Sequence, residues 1–389
     1  MSVSVNLQNS RQLNLVDLTL RDGEQTAGVV FAHGEKVRIA KLLDEIGVRY
    51  IEVGIPSLGP EEQRSIKAIV ESKLQAKLIA FCRPELEDIR AAAACGVDAV
   101  TISIPTSDIL LQKKLNKPRQ WVLERIVKAV HEARQQGLEV TASAEDASRT
   151  DIGFLLEFYH TAKEAGANRV RYCDTLSVLS PFRAFEDIQT IIGSVEMPLE
   201  MHTHNDFGMA TANALAGMRA GANFITVSIS GLGERTGNAA LEEVVMALKC
   251  LHGIDLGMPT NRFRELAEYV AEASGRAIPI WKAIVGNNVF AHESGIHADG
   301  VIKNPRNYEI FSPEEVGLTR QLVVGKHSGS HTILHKFREF GIELTPDEAT
   351  DILAMARSTA VELKRALFDK ELMYIYNDYI KSKQGQPTC

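Results

Sequence analysis

The chain has 389 residues, of which 45% are apolar and 24% charged, and its formal net charge is −7. This charge gives no electrostatic reason to expect a nucleic acid or an anionic membrane surface as a partner. No stretch approaches the roughly 20 consecutive apolar residues that would span a bilayer, and the polar start MSVSVNLQNSRQ lacks the apolar core of a signal peptide. The five cysteines form no CxxC pair, a pattern typical of reduced thiols, so we expect a cytoplasmic protein.

Short β-rich runs alternate with longer amphipathic runs over about the first 250 residues. Strands are predicted at Leu13–Leu20, Tyr50–Gly54, Lys77–Phe81, Ala99–Ile104, Glu139–Ser143, Arg169–Tyr172, Leu199–Thr203 and Phe224–Ile229. Helices are predicted at Glu35–Ile46, from Pro60, and at Glu85–Cys95, Arg119–Gln136, Ile152–Ala165, Phe182–Ile192, Met209–Ala220 and Ala239–Leu251. The first 250 residues therefore read as eight consecutive strand–helix units.

Eight such units predict a parallel sheet, and eight is the number that closes a (β/α)8, or TIM, barrel. A doubly wound open sheet is the alternative, but Gly231-x-Gly233-x-x-x-Gly237 has the wrong spacing for dinucleotide binding and follows the last strand. We expect the catalytic barrel over residues 1–275. Residues 276–389 are expected to form a linker and smaller, mainly helical subdomains, with helices at Ser330–Phe340 and Pro346–Phe368.

Polar and charged side chains follow each predicted strand, and the active site of such a barrel lies at the carboxyl ends of its strands. The side chains are Arg21, Asp22, Glu24, Gln25, Glu52, Arg83, Thr106, Ser107, Asp108, Glu145, Asp146, Asp174, Thr175, His204 to Asp206, and Glu234 to Asn238. Because loops are generally polar, each one alone is more simply a solvated side chain. The prediction of a site rests on their convergence at one rim.

Two histidines, His202 and His204, stand two residues apart on the seventh predicted strand. Residues i and i+2 of a strand point to one face, so both imidazoles are expected to aim at the same spot. Asn205 and Asp206 follow directly as possible hydrogen-bond partners of the rings. Asp22 would complete a set of two imidazoles and one carboxylate that suits Mn, Mg, Zn or Fe. Two hydrogen-bonded histidines at a strand end are the simpler alternative.

Arg21 would neutralise an anionic substrate group or a developing oxyanion beside this set. Asn238 could add an oxygen, directly or through water. A local ion pair between Arg21 and Asp22 at a loop is the alternative without a ligand.

The run HESGIH, from His292 to His297, suggests the HExxH metalloprotease motif, but its histidines are five residues apart with a glycine between them. Together with Tyr308 they lie beyond the barrel in an irregular polar segment. Such a segment is either a surface connection or a lid that completes a site.

Four segments of the chain resemble, in the same order, those of the metal-dependent acyl-CoA Claisen synthases. The segments are TLRDGEQ at Thr19–Gln25, HTHND at His202–Asp206, GLGERTGNA at Gly231–Ala239 and FAHESGIHADG at Phe290–Gly300. That family includes 2-isopropylmalate, citramalate and homocitrate synthases, on a barrel shared with related lyases and pyruvate carboxylases. A fifth segment, Gly325–Gly329, is typical of the synthase branch.

The resemblance implies that Asp22, His202 and His204 bind a divalent ion (Mg, Mn or Zn), with Asn238 close to it. A 2-oxo acid would chelate this metal through its carboxylate and its ketone oxygen, and acetyl-CoA would be the co-substrate. Arg21 would hold the ketone oxygen as it becomes an alkoxide.

Other matched positions imply further roles. Thr175 would bind the carboxylate of the 2-oxo acid, and Gln25 and Arg83 are also expected at the substrate. Glu145 and His297 are both candidates for proton transfer. His297 and Tyr308 match residues that enter the partner subunit's barrel, which implies a homodimer with shared active sites.

The resemblance points most closely to homocitrate synthases, which use 2-oxoglutarate, and within them to the nitrogenase-associated group. The chain continues for only about 115 residues after the barrel, too few for the subdomains plus the regulatory domain of most isopropylmalate synthases. Against this, Glu85 replaces a histidine of lysine-pathway enzymes, and Ser107–Gln112 lacks their arginine for the distal carboxylate. Arg83, Lys117 or another cation would have to replace it. A 2-isopropylmalate or citramalate synthase without feedback control is the alternative.

Two other classes of protein function are compatible with the residues when the resemblance is set aside. Fe(II) oxygenases also use two histidines and one carboxylate, but they usually have double-stranded β-helix folds. A non-catalytic metal-binding or scaffold protein would not need Arg21, Glu145 and Thr175 on one rim.

Overall fold

The computed structural model describes residues 13–384, so the polar start of the chain and Cys389 lie outside the described residues. The chain divides into two compact units, with the boundary between Ile278 and Pro279. In the first unit, eight parallel strands close into a barrel in sequence order, as predicted. The strands are β1 Asn14–Asp17, β2 Tyr50–Gly54, β3 Lys77–Cys82, β4 Ala99–Pro105, β5 Glu139–Glu145, β6 Arg169–Asp174, β7 Leu199–Thr203 and β8 Phe224–Val227.

Each strand is followed by a helix, and most predicted bounds agree to within a few residues. The helices are α1 His33–Glu45, α2 Pro60–Glu71, α3 Leu86–Cys95, α4 Arg119–Gln135, α5 Ile152–Glu164, α6 Pro181–Val195, α7 Ala210–Ala220 and α8 Leu241–His252. A further helix, α9 at Phe263–Ser274, was not predicted, although Phe263, Leu266, Ala267 and Val270 form a buried stripe at helical spacing.

The first strand is shorter than predicted, because the chain after Leu18 winds into one wide helical turn, Thr19–Gly23. The amide of Gly23 donates to the carbonyl of Leu18 at 3.0 Å, an i to i−5 bond. All five residues of this turn are buried, including Arg21 and Asp22. The alternating pattern of Leu13–Leu20 predicted a strand to Leu20, because it gives no indication of a wide turn. Such turns are rare and are frequently found at functional sites.

The interior of the barrel carries charges. Arg171 of β6 is 1% exposed; it forms a buried ion pair with Glu52 of β2, and its Nε donates to Glu200 of β7 at 2.5 Å. Glu52 also accepts a hydrogen bond from Thr101 of β4 at 2.7 Å, and Glu200 lies 2.9 Å from the guanidinium of Arg169. Barrel interiors are usually filled by branched apolar residues, so this ionic layer is unusual.

The second unit contains a two-stranded parallel sheet and four helices among the described residues. They are β9 Ala291–His292, β10 Gln321–Leu322, α10 Gly295–Lys303, α11 Ser330–Glu339, α12 Pro346–Leu363 and α13 Asp369–Gln384. Helix α10 lies inside the segment expected to be irregular. The single helix predicted over Pro346–Phe368 ends earlier, because Lys364 adopts a left-handed conformation with φ 54° and caps α12. Helices α11 to α13 share one apolar core that contains Ile333, Phe337, Ile352 and Leu372.

Within residues 13–384, no helix combines the length and apolar character needed to cross a bilayer. No disulfide joins the four cysteines of this range.

The ionic layer around Arg171 leads to a prediction about the stability of the fold. Replacing Arg171 by Met would leave Glu52 and Glu200 buried with fewer counter-charges. We expect a loss of about 3–5 kcal/mol in the free energy of unfolding, as for other broken buried ion pairs. Urea unfolding followed by circular dichroism would measure it. Arg90→Met removes a solvent-exposed pair with Glu132 and should barely move the unfolding midpoint. An equally small effect of Arg171→Met would contradict the inferred role of the layer.

Candidate active site

Three potential metal ligands meet at the mouth of the barrel. Asp22, His202 and His204 are buried, and one ligand atom from each lies within 4.8 Å of the others. The Nε2 atoms of the two imidazoles are 3.2 Å apart, and Nε2 of His202 lies 3.9 Å from the Asp22 carboxylate. The structure therefore brings together the residues that the sequence analysis selected as ligands.

Period-2 alternation along β7 explains how the histidines reach this position. Glu200 and His202 face the barrel interior, and His204 continues the same face just after the strand. Met201 faces outward, against Gly217 of α7, where an added Cβ would lie 2.9 Å from its side chain. The wide turn Thr19–Gly23, after β1, places Asp22 beside these two imidazoles at the mouth of the barrel.

The loop Gly231–Asn238, after β8, closes over Asp22. Asn238 donates from its amide to the Asp22 carboxylate at 2.9 Å, and the backbone amide of Glu234 donates to the same oxygen at 3.3 Å. Gly233 permits this approach, since a Cβ there would lie 2.9 Å from that oxygen. Gly237 turns the chain with φ 92°, a conformation that favours glycine.

Two buried polar atoms at the cluster lack a hydrogen-bond partner among the described residues: Nδ1 of His204 and Oδ1 of Asn238. Buried polar atoms are usually satisfied by a ligand, ion or water; for His204 this partner is separate from the metal, which would bind the Nε2 atom of the ring. Two imidazole nitrogens that bind one ion at about 2.1 Å would stand about 3.0–3.4 Å apart, and the observed separation is 3.2 Å. The donor set thus fits a divalent metal ion.

The protonation states also suit a metal. Burial would raise the pKa of Asp22, but the charge of Arg21 overcomes this and holds the pKa below its usual range. Burial, reinforced by mutual repulsion, lowers the pKa of His202, and burial likewise lowers that of His204. At neutral pH the cluster therefore offers one carboxylate and two neutral imidazoles, the forms that bind metals.

Asn205 and Asp206 do not hold the imidazoles, contrary to the expectation. Nδ1 of His202 lies 2.9 Å from the hydroxyl of Thr226, on β8. The side chain of Asn205 instead accepts the first amide of α7, and Asp206 pairs with Arg235 at 3.0 Å.

Arg21 is fixed by two carboxylates and an aromatic ring. Its Nε donates to Glu52 at 2.7 Å and its Nη1 to Asp22 at 2.8 Å. Nη1 also lies 3.2 Å from the side-chain oxygen of Gln25, and the guanidinium stacks on Phe81 at 4.5 Å. Its Nη2 donates to no described residue, so one edge of the guanidinium remains available.

Thr175 follows β6 on the same rim. Its hydroxyl accepts a hydrogen bond from the backbone amide of Asp146 at 2.8 Å. Within residues 13–384 this hydroxyl donates its own proton to no acceptor, so the proton is available to a ligand. Glu145, at the end of β5, is part-exposed and pairs with Lys114 at 2.9 Å.

Arg83 was expected at the substrate. It makes its side-chain hydrogen bonds with Asp88, at 2.8 and 2.9 Å, and its side chain is 68% exposed. None of its hydrogen bonds joins it to the metal-ligand cluster.

His297 and Tyr308 belong to the second unit, where the structure brings them together. Their ring centroids are 4.3 Å apart, and both residues are exposed. Tyr308 packs on Gly300, where an added Cβ would clash with the ring. The neighbouring His292 instead lies 3.2 Å from Glu309.

The sequence analysis missed the residues that support the site from below and beside it. Arg171 and Thr226 could have been found from the sequence. Each is a polar side chain at an inward position of a predicted barrel strand, where a buried polar group needs a partner. Arg235 was among the rim side chains expected after the eighth strand, but its partners were not predicted, because a charged loop residue is ordinarily solvated.

Comparison with known proteins identifies the family. Residues 12–270 match the family described as HMGL-like, and residues 284–364 match a second one described as "Homocitrate synthase post-HMGL domain-like". The chain belongs to the HMGL-like family.

Two relatives of this HMGL-like protein cover nearly all of it. A "2-isopropylmalate synthase 2" of Caldanaerobacter subterraneus is 57% identical over 373 residues, 96% of this chain and 97% of the relative. A "Homocitrate synthase 1" of Nostoc sp. is 51% identical over 362 residues, 93% of this chain and 96% of the relative.

Among solved structures, a hydroxymethylglutaryl-CoA lyase from Pseudomonas aeruginosa superimposes with a TM-score of 0.61 and 24% identity. The match covers 68% of this chain and 94% of that one. At this identity the likeness supports the barrel fold alone.

The cluster predicts that His202→Ala weakens the binding of Mn²⁺ by more than about 100-fold, since even losing a group that only orients a ligand costs 10–100-fold. Isothermal titration of the metal-free protein with Mn²⁺ would measure this. His160→Ala alters a partly exposed histidine that contacts Ser194, away from the cluster, and should bind like the wild type. Wild-type affinity in His202→Ala would remove the cluster as the metal site.

Proposed function

We propose that the protein is an acyltransferase that condenses acetyl-CoA with a 2-oxo acid and hydrolyses the product thioester. A base removes a proton from the methyl group of acetyl-CoA, and the resulting enolate carbon bonds to the ketone carbon of the 2-oxo acid. The ketone oxygen takes up a proton, and water then cleaves the thioester to release CoA and a hydroxy acid. The observation that carries the proposal is the convergence of Asp22, His202, His204 and Arg21 at the mouth of an HMGL-like barrel.

Asp22, His202 and His204 would hold the divalent ion, with Asn238 beside them. When bound, the ion supplies a Lewis acid that stabilises negative charge on the ketone oxygen. Arg21 would share this work through Nη2, the edge of its guanidinium that Glu52 and Asp22 leave available. Because the side chain is already locked, little reorganisation would be needed as the charge develops.

Thr175 would bind the carboxylate of the 2-oxo acid. Its hydroxyl already accepts a hydrogen bond from Asp146, so its proton must point to another acceptor. A hydrogen bond to a charged acceptor contributes about 1.5–3 kcal/mol, which is enough to orient the substrate. Gln25 and Arg83 stay predictions as substrate contacts.

Glu145 and His297 remain the two candidates for moving the proton of acetyl-CoA, with Tyr308 as the neighbour of His297. Lys114 holds the Glu145 carboxylate at 2.9 Å.

The 2-oxo acid that we propose is 2-oxoglutarate, so that the product is homocitrate. Support comes from the second family match over residues 284–364 and from the relative in Nostoc sp.. The distal carboxylate of 2-oxoglutarate needs a cation. Lys114 is suited to this role, because it lies on the loop between β4 and α4 and already holds a carboxylate, that of Glu145. The nitrogenase-associated group stays a prediction.

A 2-isopropylmalate synthase is the second candidate, and a citramalate synthase is its close variant. The 57% identity to the relative in Caldanaerobacter subterraneus favours it.

The first test is CoA release from acetyl-CoA with Mn²⁺, with 2-oxoglutarate, 2-oxoisovalerate and pyruvate offered separately. We expect 2-oxoglutarate to give the highest kcat/KM. We also expect Lys114→Met to raise the KM for 2-oxoglutarate about 10-fold or more, the effect of one lost charged hydrogen bond.

Lys113→Met is the matched control, since Lys113 is an exposed neighbour. A preference for 2-oxoisovalerate or pyruvate would select the second candidate. No CoA release with any of the three acids would refute the condensation itself.

His297 and Tyr308 are proposed to serve the barrel of a partner subunit in a homodimer. This predicts that Asp22→Ala and His297→Ala, each inactive alone, regain activity when mixed and allowed to exchange subunits. Random pairing should restore up to about a quarter of wild-type activity, because half of the dimers are mixed and each holds one intact site. Separately tagged subunits would verify exchange, and no recovery in exchanged dimers would mean that each site is built within one chain.

A further inference from the structure

Arg235 joins the loops around the proposed 2-oxo acid site. Its Nε donates to one oxygen of Asp206 at 3.0 Å, and its Nη2 donates to the other at 3.0 Å. The same Nη2 donates to the backbone carbonyl of Thr175 at 2.6 Å. One side chain from the loop after β8 therefore holds the loops after β6 and β7.

Two further contacts extend this connection. Ser177 donates to Asp206 at 2.7 Å and accepts the Asp206 backbone amide at 3.1 Å. Thr175 accepts the amide of Asp146, from the loop after β5. Four consecutive loops of the barrel mouth are thus linked, with Thr175 between Asp146 and Arg235. We call Asp146, Thr175, Ser177, Asp206 and Arg235 the rim clamp.

Backbone strain is concentrated in the rim clamp. Asp146, Ser177 and Arg235 have φ of 63°, 55° and 57°, although none of them is glycine. Each left-handed non-glycine residue costs on the order of 1–3 kcal/mol and persists only where its surroundings enforce it. Three of them in one network indicate a geometry kept for a reason other than stability.

Stability alone does not explain Arg235. Its side chain is 34% exposed and that of Asp206 is 26% exposed, and ion pairs at such positions contribute little to folding. What the pair does fix is the carbonyl of Thr175, and with it the position of the Thr175 hydroxyl.

We infer that Arg235 is a positioning residue for the 2-oxo acid: through the rim clamp it holds the Thr175 hydroxyl where the substrate carboxylate binds. This inference rests on the proposed function. A planar guanidinium can reach three acceptors in fixed directions, which the point charge of a lysine cannot. The fork of Arg235, and not its charge alone, is the required feature.

The experiment compares Arg235→Lys, Arg235→Gln and the wild type, using the 2-oxo acid that the wild type turns over fastest. Both variants should raise the KM and the Kd of that acid about 10-fold or more, as expected when one charged hydrogen bond is misplaced. The KM for acetyl-CoA and the affinity for Mn²⁺ should stay within about twofold, and the Tm within about 3 °C.

A second readout does not depend on activity. Hydrogen–deuterium exchange of the backbone amides in residues 174–179 should speed up in both variants, because the loop after β6 loses its tie to the loop after β8. Arg119→Lys is the matched control: Arg119 makes a similar two-bond pair with Asp108 between β4 and α4. It should change neither the exchange of residues 174–179 nor the KM.

The outcomes separate this inference from the proposed function. An unchanged KM and unchanged exchange in the Arg235 variants would overturn the inference. Full retention by Arg235→Lys, or a loss of Mn²⁺ affinity in place of 2-oxo acid affinity, would also overturn it. If the wild type turns over none of the three acids, the proposed function fails, whatever the exchange data show.

Discussion

Arg21 lies in the barrel interior against Glu52, with 2.7 Å between its Nε and the carboxylate, and the geometry of the candidate site depends on this ion pair. An unpaired guanidinium at this depth would cost several kcal/mol in desolvation. Burial would also raise the pKa of Glu52, but Arg171 and Arg21 overcome this and lower it to about 2. Glu52 is therefore ionised at every pH at which the protein is expected to work. It fixes Arg21, and Arg21 in turn keeps Asp22 ionised.

The same pair explains why the barrel interior is charged where other barrels are apolar. The single negative charge of Glu52 cannot neutralise both Arg21 and Arg171. Arg171 therefore also pairs with a second carboxylate, that of Glu200. Glu200 stands two residues before His202 on β7, so the alternation that directs one inward directs the other. The ionic layer thus becomes the floor beneath the proposed metal site. Replacing the whole layer with apolar residues is expected to be neutral or stabilising, but Arg21 would then lose its orientation.

The barrel and the cluster of Asp22, His202 and His204 could be predicted, because both depend on local regularities: strand–helix alternation and the period-2 spacing of two imidazoles. The helical turn that carries Asp22 could not be predicted, since a turn of five residues is too short to show a periodic pattern in the sequence. The partners of Arg171 and Arg235 are fixed by tertiary contacts across strands and loops far apart in sequence. The sequence placed Asn205 and Asp206 beside the imidazoles by adjacency, whereas cross-strand packing gives that role to Thr226.

The proposed chemistry also explains the contrast between buried and exposed groups. Arg21 and the metal-ligand set are buried and held by hydrogen bonds to neighbouring side chains, as suits groups that must hold charge without moving. Glu145 is part-exposed and His297 and Tyr308 are exposed, which suits groups that exchange protons with acetyl-CoA and with water. Thr175 lies between these extremes: it is half-buried, its hydroxyl accepts from the backbone amide of Asp146, and its carbonyl accepts from the side chain of Arg235. We therefore propose that the barrel fixes the charges that act in the reaction, while the 2-oxo acid is held from the rim. There Thr175, positioned by the rim clamp, would bind the carboxylate that all 2-oxo acids share, and Lys114 would bind the distal carboxylate of 2-oxoglutarate.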